Sequence, residues 1–213
     1  MTVQSVLLRR LPWWLAVAVG LSFPLPASAL NVQRLEPSER ETLQAILQAL
    51  EPVIAAKKLD GTANLLSWEQ LYEPLTSSHR ALLDAFRQLK AASLGATSHY
   101  FGEVPPDGLV PVGPQQIRKD GTIKPLDPQH LPRAAHRAYR RMMDAMEADL
   151  GRGLLVESGY RSPAYQLYLF LYYLPKHDHS IVETNRFVAL PGHSEHGYPP
   201  RQAIDFINED GIN

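Results

Sequence analysis

The sequence has no cysteine among its 213 residues. Disulfide bonds and thiolate zinc sites are therefore excluded, and a bound metal ion would have to be held by histidine, aspartate or glutamate. Acidic and basic residues nearly balance, at a formal net charge of −1, so the composition gives no reason to expect a nucleic-acid partner. The classes that remain include enzymes and binding proteins that use imidazole and carboxylate groups.

The sequence also lacks an apolar run of the ~20 residues that a membrane span needs. Its N-terminus has instead the three-part build of a secretory signal peptide. The basic segment Met1–Arg10 precedes the apolar run Leu11–Phe23, and the small residues Ala27-Ser28-Ala29 form a cleavage pattern. We expect residues 1–29 to direct export to the periplasm or cell envelope. The mature protein should then have no stable membrane span and be a monomer.

The remaining chain divides into three segments. Residues 30–96 show helical apolar spacing and are expected to form a helical extension outside the main core. Pro52 should kink or end the first helix, because proline cannot donate a backbone hydrogen bond. Residues 97–130 are rich in proline and glycine and read as a connection with one hairpin. Residues 131–213 would be the domain that carries the chemistry.

Helical and strand patterns alternate in this last segment. An apolar stripe on the first helix is expected to face the core, and the second helix, apolar on nearly every face, should be central. The predicted class is α+β, with a small antiparallel sheet packed on helices. The predicted elements are a helix over Pro132–Leu150, a strand over Leu154–Glu157, a helix over Pro163–Leu174 and a strand over Gln202–Ile207. The stripe consists of Ala135, Tyr139, Met142, Met143, Met146 and Leu150.

The stretch PGHSEHGYPPRQAIDF, Pro191–Phe206, contains the clearest candidate metal ligands. Its flanking residues predict that Asp205 lies on a buried strand. An ionised carboxylate there costs several kcal/mol unless a cation or strong hydrogen-bond donors satisfy it. Because His196 lies close in sequence, we interpret the pair as part of a zinc site. His177 and His179 form a rival His-x-His cluster, but they lie in a polar loop without an apolar frame.

A second candidate stretch follows the predicted strand that ends near Glu157. Arg161 stands at the end of this strand and just before a helix start, where anions bind well, so its guanidinium should point into a cleft. Gln166, five residues later, could reach the same cleft. Each residue also has a purely structural alternative role. Arg161 would form a salt bridge, and Gln166 would be a core amide whose hydrogen bonds are satisfied.

Together these stretches resemble the D-alanyl-D-alanine carboxypeptidases of the VanY type, zinc peptidases that share a fold with the Hedgehog signalling domain. The similarity covers roughly residues 131–208. The family pattern is S-G-Y-R-S, then glutamine, then P-G-x-S-E-H, then a small residue, any residue and aspartate. It is matched here by Ser158–Ser162, Gln166, Pro191–His196 and Ala203–Asp205.

The resemblance implies a role for each matched residue. His196 and Asp205 would be two zinc ligands, and Arg161 would bind the scissile carbonyl oxygen and stabilise the oxyanion. Gln166 and Ser194 would anchor the substrate, a peptidoglycan stem peptide. The implied reaction is removal of a terminal D-alanine. An L-alanyl-D-glutamate endopeptidase using the same site, and a cell-wall-binding protein without catalysis, are the alternatives.

The sequence departs from the family pattern in two places. The gap between His196 and Asp205 is nine residues where the family has seven, an insertion that a loop can absorb. The E-x-W-H block, which supplies the family's base and third zinc ligand, does not follow Asp205 here. We therefore expect weak zinc binding, and either a truncated form of the enzyme or a non-catalytic remnant.

Overall fold

The computed structural model describes residues 30–95 and 108–212. The predicted signal peptide, residues 1–29, lies outside the described residues, and so do residue 96 and the part of the predicted connection over residues 97–107. Among the described residues, none of the helices combines the length and the apolar character needed to cross a membrane.

Within residues 30–95, the structure has three helices and two 3₁₀ turns. Helix α1 begins with a capping box in which Glu36 and Glu39 bond each other's backbone. It continues through Pro52, so of the two predicted effects of this proline, a kink or an end, the end is wrong. Leu50 and Ile54, on either side of the proline, are both buried and hold the helix against the core. The helices are α1 Pro37–Leu59, α2 Trp68–Tyr72 and α3 Ser77–Arg87, and the 3₁₀ turns are Ala63–Leu65 and Ala91–Leu94.

Three more helices and three two-stranded antiparallel ribbons follow. The pairs are β1 with β4, β2 with β3 and β5 with β6. The class is α+β, as predicted. The helices are α4 Arg133–Leu150, α5 Pro163–Tyr173 and α6 Ile181–Asn185, with further 3₁₀ turns at Leu174–His177, Glu195–Gly197 and Pro199–Arg201. The strands are β1 Leu109–Pro111, β2 Gln116–Lys119, β3 Thr122–Pro125, β4 His130–Pro132, β5 Leu155–Ser158 and β6 Asp205–Ile207.

The larger core surrounds α5 and is called the α5 core below. Leu167 and Phe170 of α5 are fully buried, and Phe170 meets Phe86 of α3 edge to face with ring centroids 6.1 Å apart. Buried residues of α1, α2, α3, α5 and α6 belong to the same cluster. The helical extension therefore shares this core and does not lie outside it. The reason is that a helix apolar on nearly every face needs neighbours on every side.

A second, smaller cluster of Leu131, Tyr139 and Val156 lies between α4 and the ribbons and is called the Tyr139 cluster. The predicted core stripe of α4 is confirmed in part, because Tyr139 is buried and Ala135 and Met143 pack partly buried against the same cluster. Met142 is 39% exposed and Leu150 is 58% exposed.

The ribbon of β5 and β6 carries the candidate site. Leu155 pairs with Ile207, and a register shift between Val156 and Ser158 brings Ser158 opposite Asp205. On the other edge of β5, the side-chain amide of Gln115 replaces a neighbouring strand. Its Nε2 donates to the Val156 carbonyl at 2.9 Å, and its Oε1 accepts from the Val156 amide at 2.7 Å.

Candidate active site at the end of the β5–β6 ribbon

Arg161 lies in the short connection between β5 and α5. Ser162 caps α5 by accepting from the Tyr165 amide at 3.1 Å, so the chain turns sharply at Arg161. The guanidinium donates from Nε to Ser158 Oγ at 2.8 Å, and its side chain is only 21% exposed. As predicted, Arg161 lies at the junction of a strand and a helix and faces a cleft.

His196 lies in the 3₁₀ turn Glu195–Gly197 and is buried. Its Nδ1 lies 2.8 Å from the Gly159 carbonyl oxygen, and its own carbonyl oxygen accepts from the Arg161 amide at 3.1 Å. Two stretches that are well separated in sequence are thus joined by hydrogen bonds from both the side chain and the backbone of one histidine.

Asp205 begins β6 and meets both groups. Its Oδ2 lies 3.2 Å from His196 Nε2 and 3.4 Å from Arg161 Nη2. The predicted burial is wrong, because the Asp205 side chain is 52% exposed. The register shift opposite Ser158 places this residue at the open end of the ribbon. Burial therefore does not require a cation here, and the argument for a metal depends on the arrangement of the donor atoms.

The protonation of His196 follows from its contacts. A carbonyl oxygen can only accept, so Nδ1 carries the hydrogen and donates to Gly159. Burial lowers the pKa of His196, the positive charge of Arg161 lowers it further, and Asp205 opposes both effects. In the neutral ring the unprotonated Nε2 then faces the carboxylate oxygen of Asp205, and two electron-pair donors that face each other favour a cation beside them.

This pair of donor atoms could occupy two ligand positions of a zinc ion. Tetrahedral zinc with ordinary bond lengths to nitrogen and oxygen places two ligand atoms about 3.3 Å apart. The observed separation of 3.2 Å is compatible with that value, and it is equally an ordinary hydrogen-bond distance between imidazole and carboxylate. The hydrogen bond from Nδ1 to a backbone carbonyl is also the usual way in which a metal-binding histidine is oriented.

The described residues supply two such ligands and no more. Across residues 30–95 and 108–212, no group of three His, Cys, Asp or Glu residues is arranged to hold a metal ion. In the rival cluster, His177 stacks on Phe187 with ring centroids 4.6 Å apart.

The loop between the two candidate ligands contains a 3₁₀ turn, Pro199–Arg201. Gln202 then ties the loop together, because its Nε2 donates to the carbonyl oxygens of His196 at 3.0 Å and Ala203 at 2.8 Å. His196 and Asp205 thereby remain adjacent.

Arg161 and Asp205 open into a cleft of about 390 Å³. Glu157 and Ser158 line the same side. The opposite side is built by residues far away in sequence, including Lys58 and Asn64 of the helical half. The cleft thus has both charge signs near the candidate catalytic groups. Its aromatic lining residues are Tyr165, Tyr173 and Phe187.

The two predicted substrate-binding residues lie deeper. Gln166 is 2% exposed, and its Nε2 donates to the Ala189 carbonyl at 2.8 Å. Its Oε1 has no hydrogen-bond partner among the described residues. Ser194 is 8% exposed and immediately precedes the His196 turn. Among the described residues, neither is part of the cleft lining. Both lie within the matched stretches, so their predicted roles remain predictions.

Sequence reasoning did not single out Asn64, which is buried beside Arg161 and lines the cleft. No local signal could have found it, because it lies 96 residues before its hydrogen-bond partner Tyr160. The hydrogen bond from Arg161 to Ser158 could have been found from the sequence, since both residues belong to the S-G-Y-R-S motif.

Comparison with known proteins agrees with this geometry. Residues 128–212 match the family model VanY, D-alanyl-D-alanine carboxypeptidase. Searches of curated proteins and of solved structures found no match. The matched residues include Arg161, His196 and Asp205, whereas the helical half and its cleft residues lie outside the match. Residues 128–212 of this chain are therefore similar to the VanY family, whereas residues 1–127 lie outside the match.

Proposed function

We propose that the protein is a zinc-dependent peptidase that removes the terminal D-alanine from peptidoglycan stem peptides. One observation carries the proposal: Arg161 and His196 both contact the same carboxylate oxygen of Asp205 at the end of a cleft. The VanY-family match over residues 128–212 supports the substrate class. We also propose that residues 1–29 direct export, since this substrate lies outside the cytoplasm.

His196 and Asp205 would hold the zinc ion through Nε2 and Oδ2. When bound, zinc supplies a Lewis acid that polarises a carbonyl and lowers the pKa of a coordinated water. Neighbouring residues of the protein would orient these two ligands. Gly159 fixes the ring of His196 through Nδ1, and the Arg161 guanidinium keeps Asp205 beside it.

Arg161 would bind the oxygen of the scissile carbonyl. Burial lowers the pKa of its guanidinium and the Asp205 charge opposes this, but an arginine stays protonated at any physiological pH. A permanent charge that is partly shielded from water stabilises a developing oxyanion more strongly than a solvated one. Ser158 holds the guanidinium in position, so little reorganisation accompanies the reaction.

Ser194 and Gln166 would support the substrate from behind the cleft wall. Ser194 sets the start of the turn that carries His196. Gln166 fixes the Ala189 carbonyl beside Val188, a residue of the cleft lining, and its unpaired Oε1 remains available as an acceptor. Because neither residue lines the cleft, each would act on the substrate through the residues that it positions.

A second candidate is a cell-wall-binding protein without catalysis. It is favoured by the finding that only two metal ligands converge among the described residues. Such a protein would bind the same stem peptides but leave them intact.

The test is incubation of the purified, zinc-supplemented chain with a synthetic pentapeptide stem. Release of free D-alanine would support the carboxypeptidase, and Arg161→Ala should then reduce it at least ~100-fold, the scale of a lost oxyanion contact. Arg186→Ala, which removes an exposed guanidinium paired with Glu183, is the matched control and should not change the rate.

Cleavage between L-alanine and D-glutamate, without release of D-alanine, would replace the carboxypeptidase with the endopeptidase. Binding of the peptide without any cleavage would establish the non-catalytic alternative. Equal rates for Arg161→Ala and the unmodified chain would remove Arg161 from the mechanism.

A further inference from the structure

Asn64 connects the helical half of the molecule to Arg161. It lies in the 3₁₀ turn Ala63–Leu65 and is only 5% exposed. Its side-chain Nδ2 donates to the Tyr160 carbonyl at 3.1 Å, and its backbone oxygen accepts from the Ser162 amide at 2.9 Å. Asn64 therefore bonds both residues that flank Arg161.

The orientation of the Asn64 amide is determined by its partners. Its Oδ1 lies 3.2 Å from His130 Nδ1, and burial lowers the pKa of His130, so a neutral ring donates from Nδ1 to this oxygen. The His130 backbone oxygen in turn accepts from the Tyr160 amide at 2.7 Å. The amide and carbonyl of Tyr160 are thus held by His130 and Asn64 together.

The same turn makes a further bond to the start of α5. The Ser162 hydroxyl donates to the Leu66 carbonyl at 2.6 Å while it caps the helix. From the other side, the Arg161 amide donates to the His196 carbonyl at 3.1 Å. The backbone that carries Arg161 is therefore clamped between the helical half and the turn that carries a candidate zinc ligand.

This clamp has little room to adjust. A Cβ placed on Gly197 would lie 3.2 Å from the Arg161 carbonyl oxygen, and one placed on Gly159 would lie 2.5 Å from the His130 carbonyl oxygen. A buried amide that loses its partner costs more than the bond contributed, because the group left behind is unsatisfied. If Asn64 is altered, the Tyr160 carbonyl loses its donor, and the freed segment is the one that aims Arg161.

We propose that Asn64 is a positioning residue for Arg161, and that the helical half completes the active site instead of merely accompanying it. This inference rests on the catalytic role proposed above for Arg161. Asn64 lies outside residues 128–212, so the family match does not include it. It acts through the backbone of residues 160–162 and need not touch the substrate.

The test uses nuclear magnetic resonance on the isotopically labelled full chain, with no ligand. In Asn64→Asp, the side chain keeps its size and its acceptor toward His130 but cannot donate to Tyr160. We expect a shifted Arg161 Nε–H resonance and at least ~10-fold faster hydrogen exchange at the Arg161 and Ser162 amides. Asn64→Ala should show the same changes. Thr184→Val is the control, because it removes the hydrogen bond of another buried polar residue, from Thr184 Oγ1 to the Ser180 carbonyl.

Unchanged Arg161 signals in Asn64→Asp would overturn the inference. So would changes of equal size in Thr184→Val, because they would reflect general destabilisation. Both readouts are independent of zinc and of peptidase activity, so they decide the role of Asn64 even if the proposed function fails.

A second experiment measures the kinetics of D-alanine release from the pentapeptide stem. Asn64→Asp should lower kcat about 10-fold and leave KM nearly unchanged, because a displaced Arg161 weakens an interaction made mainly in the transition state. Thr184→Val should retain the kcat of the unmodified chain. A kcat that is the same in Asn64→Asp as in the unmodified chain would contradict the inference, whereas absence of D-alanine release from the unmodified chain would contradict only the proposed function.

Discussion

The α5 core and the Tyr139 cluster differ in how many large side chains each removes from water. The α5 core draws on five helices and contains many fully buried leucines and phenylalanines. The Tyr139 cluster has three buried residues, and the helix above it leaves Met142 and Leu150 exposed. Most of the apolar burial, and hence most of the stabilisation, lies in the α5 core.

The candidate active site lies between these two regions. Arg161 is attached to the first turn of α5, whereas Asp205 belongs to a ribbon beside the Tyr139 cluster. The comparison suggests a division of roles in which the helical half provides rigidity and the ribbon half provides ligands. Catalytic groups need rigid support, because small displacements weaken transition-state contacts.

The largest expected effect comes from a matched pair of leucine substitutions. Leu50→Ala, in the α5 core, should lower the free energy of unfolding by about 2–5 kcal/mol, because it leaves a cavity. Leu150→Ala, at an exposed site, should change it by less than about 0.5 kcal/mol. Denaturant unfolding measures both. Similar losses for the two variants would show that the α4 face is covered in solution and would break the comparison.

A glycine substitution at the boundary should have the next largest effect. In Gly159→Ala the new Cβ would lie 2.5 Å from the His130 carbonyl oxygen, so the backbone must move, at about 1–3 kcal/mol. Because the Gly159 carbonyl orients His196, zinc affinity should fall as well. In the control Gly153→Ala, the Cβ meets only the end of the flexible Met143 side chain. Retention of both stability and zinc affinity in Gly159→Ala would contradict this account.

The smallest effect on stability is expected at the edge of β5 that does not pair with β6. Gln115→Leu removes the amide that pairs with Val156, so a backbone donor and acceptor lose their partners, and we expect a loss of about 1–2 kcal/mol. Gln116→Leu, at the exposed neighbouring position, should change stability by less than about 0.5 kcal/mol. Thermal unfolding of both variants provides the measurement. If the two behave alike, Gln115 does not protect the strand edge.

The sequence predicted the local features of the fold well. The helical apolar spacing of residues 30–96 is confirmed by α1, α2 and α3, and the helix predicted to begin at Pro163 does begin there. The nearly uniform apolar character of α5 correctly predicted a central helix. These features depend on neighbouring residues, so a sequence pattern contains them.

Features that depend on distant residues were not predictable in the same way. The α4 stripe is amphipathic, but Met142 and Leu150 within it are exposed, because burial also needs a partner surface. Asp205 lies between two apolar residues, yet a register shift with β5 exposes its side chain. The contribution of Asn64 depends on a contact over 96 residues. In each of these cases the tertiary arrangement decides the outcome.

Calorimetric titration of the purified chain with zinc alone tests the central claim most directly. The account predicts weak binding at one site, because two protein ligands converge among the described residues. His196→Ala should abolish this binding, and the control His177→Ala, whose ring stacks on Phe187, should leave it unchanged. Zinc binding that survives in His196→Ala, or that disappears only in His177→Ala, would contradict the assignment of the site.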